Sequence, residues 1–283
     1  MIKIYEIAYS SYNSYEEHVK DALLEYLVYP CEDASQTLLD YKIAYSSIED
    51  PYIFQNSYGF NIIRIRPQNF TEGFEFSFKA TVRKAVQHFS LLDQWPVAEQ
   101  VACIASREFY IDNYLFYNQT ALTTLSPDHE NQIFPFDRQI GLLEFFDALT
   151  AFVHTVLQYV PDVTTIETTA EQALEMGKGV CQDFTHLFLA NARANKLPAR
   201  YVSGYLHQGA GSLGFAMMHA WAEAYIPGLG WVGFDPTNNV RVDEMYVKVC
   251  HGKDYQDCST IKGVVNTKGK NSTTHQVQVT QQQ

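Results

Sequence analysis

Three residues of this sequence have types and settings that could do covalent chemistry together: Cys181, His219 and Asp235. In Gly177-Lys178-Gly179-Val180-Cys181-Gln182-Asp183-Phe184, two glycines precede a cysteine that opens a helix. The glycines permit a tight turn with backbone approach from one side. A helix N-terminus offers unpaired N–H groups and the positive end of the dipole, which favour a thiolate nucleophile and can hold a developing oxyanion. Taken alone, Cys181 reads more simply as a small buried residue at a helix start, because free cysteines are commonly buried and inert. A lone histidine at a strand start, such as His219, is likewise more often structural than chemical.

The elements around them change that reading. Met218-His219-Ala220-Trp221-Ala222-Glu223-Ala224-Tyr225 alternates, with His219, Trp221, Glu223 and Tyr225 on one strand face and alanines on the other. Small alanines let a helix pack close. Pro227-Gly228-Leu229-Gly230 is a turn, and Trp231-Val232-Gly233-Phe234-Asp235 is a second strand stopped by Pro236. His219 and Asp235 therefore lie on the two arms of one hairpin. A register that sets them directly opposite puts their Cβ atoms about 5 Å apart. The carboxylate can then hold the imidazole tautomer while the other ring nitrogen takes a proton from a thiol.

The helices that must carry the cysteine are also legible. Leu142, Phe146, Leu149, Phe152, Val153, Val156, Leu157 and Val160 recur at three- and four-residue spacing, which predicts one amphipathic helix ended by Pro161. A second helix is expected over roughly 169–176 and a third from Cys181 to about Asn195, followed by strands. Helices followed by an antiparallel sheet predict an α+β fold. Before them, residues 1–85 form short aromatic and β-branched runs at Ile4–Tyr9, Ile62–Arg66 and Gly73–Phe78, separated by Tyr29-Pro30, Asp50-Pro51 and Asn56–Gly59. The expected division is a β-rich N-terminal domain over 1–85, a helical connection and loop over 86–139, and a catalytic domain over 140–283. The N-terminal domain is expected to be accessory and to supply no catalytic group. Alternation at Val277 and Val279 allows one last strand.

These motifs resemble the transglutaminase-like superfamily, whose fold is papain-like. The resemblance is carried by Gly179–Phe184, by Leu197–Tyr205, by His219–Glu223 and by Gly230–Thr237, with Gly252-Lys253-Asp254-Tyr255 similar to a Gly-Arg-Asp-Tyr of bacterial members. It spans roughly residues 140–265. More loosely, residues 1–85 resemble the β-domain that often precedes the catalytic domain in bacterial members. The resemblance implies that Cys181 is the nucleophile, His219 the base and then acid, and Asp235 the orienting carboxylate. It implies attack on an amide carbonyl of a peptide or protein, a thioester, and release to water or to an amine. Many bacterial members are classed as cysteine proteases, and cross-linking transglutaminases are one branch. A catalytically silent binding or scaffold protein of the same fold is the alternative, and the complete triad disfavours it.

Other residues read as structural. Asp183 is most simply a dipole-compensating or capping residue, and His186 a satisfied helix histidine. A zinc site at Cys181, His186, His219 and Asp235 is disfavoured, because the thiol context explains the positions without a metal. Trp221 and Trp231 pack beside the hairpin or line an acyl pocket. The Cys181 N–H is the one oxyanion donor that can be named. There is no phosphate loop and no cofactor motif. Lys and Arg total 20 against 32 Asp and Glu, a formal charge of −12, which argues against nucleic acid or an anionic membrane as partner. No apolar stretch approaches the roughly 18 residues of a membrane span. Met1–Glu6 lacks the order of a secretory signal, so the expectation is a cytoplasmic protein. Five widely spaced cysteines without CxxC argue against a disulfide framework or a Cys-rich zinc site, and a Cys250–Cys258 bridge is not expected.

Overall fold

The computed structural model describes residues 2–47, 49–70, 73–85, 94–207 and 218–282. The N-terminal part contributes β1 (Ile2–Tyr15), β2 (Val19–Tyr26), β3 (Gln36–Tyr45), β4 (Tyr52–Gln55), β5 (Asn61–Ile65), β6 (Gln68–Phe70) and β7 (Phe74–Ala85). Next come α1 (Val97–Ile104), α2 (Arg107–Asp112), α3 (Leu142–Val156), β8 (Gln158–Tyr159), α4 (Ala170–Met176), β9 (Lys178–Gly179) and α5 (Cys181–Ala194). The chain continues through β10 (Ala199–Leu206), β11 (His219–Ile226), β12 (Gly230–Asp235), β13 (Val240–Arg241), β14 (Tyr246–Gly252) and α6 (Tyr255–Cys258). It ends in β15 (Ile261–Asn266) and β16 (Asn271–Gln281).

Helices and an antiparallel sheet make the expected α+β architecture. The sheet runs β13-β12-β11-β10-β14. Ala220, Ala222 and Ala224 of β11 are buried in the core that α5 fills with Phe184, Leu187 and Phe188. The absence of bulk on that strand face is what lets the helix seat closely. α5 is held at its far end by polar bonds: Asn191 and Asn195 accept from the N–H groups of Phe134 and Phe136 at 2.8 and 2.9 Å. The buried Arg193 donates to the carbonyls of Ala199 and Lys253 at 2.9 and 2.6 Å and to Thr123 Oγ1 at 2.9 Å. Lys253 thus serves this contact through its backbone.

The N-terminal strands form two further sheets, ordered β16-β1-β7-β3 and β15-β2-β5-β4, with β6 paired to β2. Alternation in β7 buries Phe74, Phe76, Phe78 and Val82, and Tyr26 of the second sheet stacks on Phe76 at 3.7 Å between ring centroids. Breakers at 29–30, 50–51 and 56–59 fall between strands, as expected. At the last of these, Gly59 sits at φ +83° and Asn56 Oδ1 accepts from Tyr58 and Phe60 N–H at 3.0 Å.

The last two strands of the chain pair with strands of its N-terminal part. β15 pairs with β2 from Ile261–Tyr26 to Asn266–Asp21, and β16 pairs with β1 from Gln281–Tyr5 to Asn271–Tyr15. The last strands complete the N-terminal sheets because β1 and β2 would otherwise expose unpaired edges. The amphipathic helix ends at Val156, not near Pro161. Residues 158–159 leave it to pair in parallel with 178–179, with Gln158 N–H on the Gly177 carbonyl at 2.9 Å and Val160 N–H on the Gly179 carbonyl at 3.0 Å.

Candidate active site

That short parallel pair fixes the turn before Cys181. α4 begins with a Thr169–Gln172 capping box and stops at Gly177, whose φ of +63° is the left-handed cap that glycine adopts without strain. Gly179 then packs against the Asp183 side chain. The Asp183 Oδ2 accepts from Val180 N–H and from Thr164 Oγ1, both at 2.7 Å. Asp183 is therefore a capping residue, buried, with its pKa raised by that burial. Cys181 emerges as the first residue of α5 and remains partly exposed.

A Cβ at Gly179 would lie 2.6 Å from Asp183 Cβ and 2.7 Å from its Oδ2. Gly179→Ala must push the carboxylate off the Val180 N–H. The expected cost is about 1–3 kcal/mol, read as a lower melting temperature of roughly 2–4 °C per kcal/mol. An unchanged melting temperature would contradict this packing.

β11 and β12 bring the other two residues to the cysteine. His219 Nε2 donates to Asp235 Oδ2 at 2.7 Å, since an ionised carboxylate can only accept. Cys181 is the other group that acts on this ring and, with Asp235, raises its pKa. The structure thus gathers the three residues singled out from the sequence. Their register differs from the expected one. Ile226 pairs with Gly230 and Ala222 with Phe234, so the register carried onward sets Trp221, not His219, against Asp235. The turn has three residues between the paired positions, with Gly228 and Gly230 at φ +90° and +79°. The shift of two keeps both side chains on one face, and the imidazole reaches the carboxylate diagonally through its far nitrogen.

Asp235 is fully buried and accepts five hydrogen bonds. Oδ1 takes the N–H groups of Thr237 and Asn238 at 2.9 and 3.2 Å. Oδ2 takes His219, Asn238 Nδ2 at 2.6 Å and the Tyr246 hydroxyl at 2.8 Å. Burial alone would raise its pKa, but the bond to His219, its charge, Asn238 and Tyr246 outweigh that and hold it below the usual range. Burial works against a charged His219 as well. The bonds and charges of Asp235 and Cys181 prevail and raise its pKa to about 10. The pair is thus set to hold an imidazolium beside the thiol.

Tyr246 and Asn238 were not found by sequence reasoning. Asn238 had a local signal, since an Asp followed two and three residues later by N–H groups turned back on its side chain forms an Asx turn. Tyr246 had none. Of the tryptophans, Trp221 packs with Val202 and Tyr246 and stacks near His219 at 6.4 Å. Trp231 carries the Arg200 guanidinium over its ring at 4.0 Å. Glu223, on the same face, accepts from Arg200 at 2.6 Å and from Lys248 at 2.6 Å. Burial would raise its pKa, yet Lys248 and Arg200 lower it to about 2. His186 lies away from this cluster. Its Nε2 accepts the Tyr255 N–H at 3.2 Å, and burial with the Arg193 charge lowers its pKa to about 3. The Gly252–Tyr255 motif therefore docks on α5 through His186 and Arg193. All five cysteines are free, with Cys250 and Cys258 buried. Among the described residues no helix is long and apolar enough to cross a membrane.

Residues 138–236 match the family model of the transglutaminase-like superfamily. An uncharacterized protein of Mycobacterium leprae is 38% identical over 126 residues, covering 43% of this chain and 44% of that protein. An uncharacterized protein of Mycobacterium tuberculosis is 38% identical over 140 residues, 46% of this chain and 45% of that one. The chain thus spans less than half the length of these curated relatives. A solved structure from Cytophaga hutchinsonii, named "a Putative Cysteine Protease", superposes with a TM-score of 0.78 at 23% identity. It covers 99% of this chain and 91% of that one, so the likeness of fold includes the N-terminal sheets. The stretch that matches the core model of the transglutaminase-like superfamily, residues 138–236, contains Cys181, His219 and Asp235.

Proposed function

We propose that the protein is a thiol hydrolase or acyltransferase that acts on an amide bond of a peptide or protein substrate. The observation that carries the reading is the bond between His219 and the fully buried Asp235, with the partly exposed Cys181 acting on the same imidazole. In the first half-reaction the Cys181 thiolate attacks the carbonyl carbon, and the π-electron pair moves onto oxygen. The N–H of Cys181, at the positive end of α5, is the donor proposed for that oxyanion. The C–N bond then breaks as His219 gives its proton to the leaving amine, and a thioester remains on Sγ. In the second half-reaction water or a primary amine attacks the thioester, His219 takes the proton, and the thiolate leaves. Asp235 holds the ring in one tautomer throughout and offsets the imidazolium charge. The cytoplasm is the proposed compartment.

A mass-spectrometric screen tests the reading. The native protein and Cys181→Ala are incubated with mixed peptides and with Gln- and Lys-containing peptide pairs. Mass loss, deamidation or cross-linking is expected with the native protein and lost on Cys181→Ala. Turnover that survives Cys181→Ala would overturn the nucleophile. A product formed only with an amine acceptor would mark transamidation, and one formed in water alone would mark hydrolysis.

A further inference from the structure

Tyr246 belongs to β14, the strand at one edge of the catalytic sheet, and its hydroxyl donates to the buried Asp235 Oδ2 at 2.8 Å. That oxygen is the one that receives His219. The Tyr246 ring meets Trp221 edge-on, with centroids 5.4 Å apart, and lies 6.0 Å from the His219 ring. Tyr246 therefore touches both members of the His–Asp pair. The ionisable groups facing Asp235 and Tyr246 are His219 from β11 and Asp243 from the segment before β14, and His219 in turn faces Cys181 on α5.

The strand that carries Tyr246 is gripped from the N-terminal part of the chain. The Gln36 side chain acts as an added backbone unit: its Nε2 donates to the Lys248 carbonyl at 2.7 Å and its Oε1 accepts the Lys248 N–H at 2.9 Å. Cys31 N–H donates to the same carbonyl at 3.0 Å. Lys84 Nζ, at the end of β7, lies 3.2 Å from Gln36 Oε1. Gln36 is almost fully buried, so these bonds lie in a water-poor setting where a lost partner is costly.

We infer that Tyr246 is a positioning residue for the His219–Asp235 pair, and that the N-terminal segment around Gln36 holds it in place through β14. This deepens the thiol-enzyme reading and rests on it. Asp235 is free to rotate about its side-chain torsions unless its oxygens are fixed. The backbone N–H groups fix Oδ1, and Tyr246 with Asn238 fixes Oδ2 at the point that His219 addresses. Loss of a donor to the charged carboxylate raises the pH at which it protonates. A protonated Asp235 no longer supports the imidazolium, so on acidification thiol reactivity is lost at a higher pH.

The test is the second-order rate of Cys181 alkylation by iodoacetamide, followed by peptide mapping from pH 3 to 10. It compares the native protein with Tyr246→Phe, Gln36→Leu and Tyr205→Phe. Tyr205→Phe is the control, because it loses a comparable buried hydroxyl bond, to the Val28 carbonyl at 2.7 Å, away from the triad. Tyr246→Phe should move the acid-side inflection upward by about one pH unit, the equivalent of one charge-assisted hydrogen bond. Gln36→Leu should move it in the same direction by less, which keeps the inference testable should Tyr246→Phe not fold. Tyr205→Phe should lower thermal stability and leave the inflection in place. Profiles of folded Tyr246→Phe and Gln36→Leu that superimpose on the native one would overturn the inference and leave the nucleophile reading standing. A native protein with no selectively reactive Cys181 would overturn both.

Discussion

Replacing Asp235 with Asn is expected to leave a folded protein whose turnover falls roughly 10 to 10³-fold. A serine-protease triad loses about 10⁴-fold on the comparable change, and a thiol–imidazole pair depends less on its third member. The hydrogen-bond directions explain why the isosteric change is harmful. If the amide oxygen stays on the N–H groups of Thr237 and Asn238, the new NH₂ faces His219 Nε2, Asn238 Nδ2 and the Tyr246 hydroxyl, all donors in the native site. If the amide flips, NH₂ meets two backbone N–H groups. In the first orientation the Tyr246 hydroxyl can turn to accept, but His219 Nε2 can meet the NH₂ only by giving up its proton, which leaves the hydrogen on Nδ1. That tautomer cannot accept the thiol proton.

The same change has a pH signature. The folded pKa of His219 is raised to about 10, from an ordinary 6.5. The stabilisation linked to it is fully present below pH 6.5 and lost as pH rises through about 10. In the proposed mechanism the imidazolium that protonates the leaving amine is lost over the same limb. Asp235→Asn removes the carboxylate that raises this value, so the alkaline limb of the turnover profile should move toward neutrality. An alkaline limb and a turnover number equal to the native ones, on any accepted substrate, would refute the role given to Asp235.

Removing residues 1–85 is expected to yield a chain that does not fold to a soluble monomer. The sequence, read by local pattern, treats this part as separable and accessory. The structure places four dependencies across that cut. β16 loses the full ladder from Tyr5 to Tyr15, and β15 loses Asp21 to Tyr26. β14 loses the Gln36 and Cys31 bonds to Lys248, and Tyr205 loses its acceptor on Val28. Orphaned strands with unpaired edges associate with one another. Size-exclusion chromatography and near-ultraviolet circular dichroism should show aggregate and lost tertiary signal. A soluble monomer with native reactivity at Cys181 would show that the N-terminal part is dispensable.

What was legible in the sequence was whatever local pattern encodes. Alternation through His219–Ile226 marks β11 to the residue, and the Gly-rich turn before Cys181 marks the start of α5. The face shared by His219 and Asp235 followed from side-chain parity, which survives a register shift of two. What stayed hidden depends on partners distant in the chain. No periodicity announces that residues 271–281 return to β1, that a glutamine side chain closes the edge of β14, or that Tyr246 reaches Asp235. The end of α3 at Val156 belongs to this class too, because its apolar spacing continues to Val160 while the backbone is claimed by 178–179.

The central claim is that Cys181 is the nucleophile, and its most direct test is competitive alkylation of the five native cysteines. Burial pushes the Cys31 thiol up to about 12 and raises that of Cys103, while Cys250 and Cys258 are buried. Cys181 alone among them lies at a helix N-terminus and acts on a histidine whose pKa a buried carboxylate raises. Brief treatment with iodoacetamide near pH 6.5, followed by peptide mapping, should label Cys181 first and by a wide margin. Preferential labelling of Cys31, Cys103, Cys250 or Cys258 would contradict the assignment.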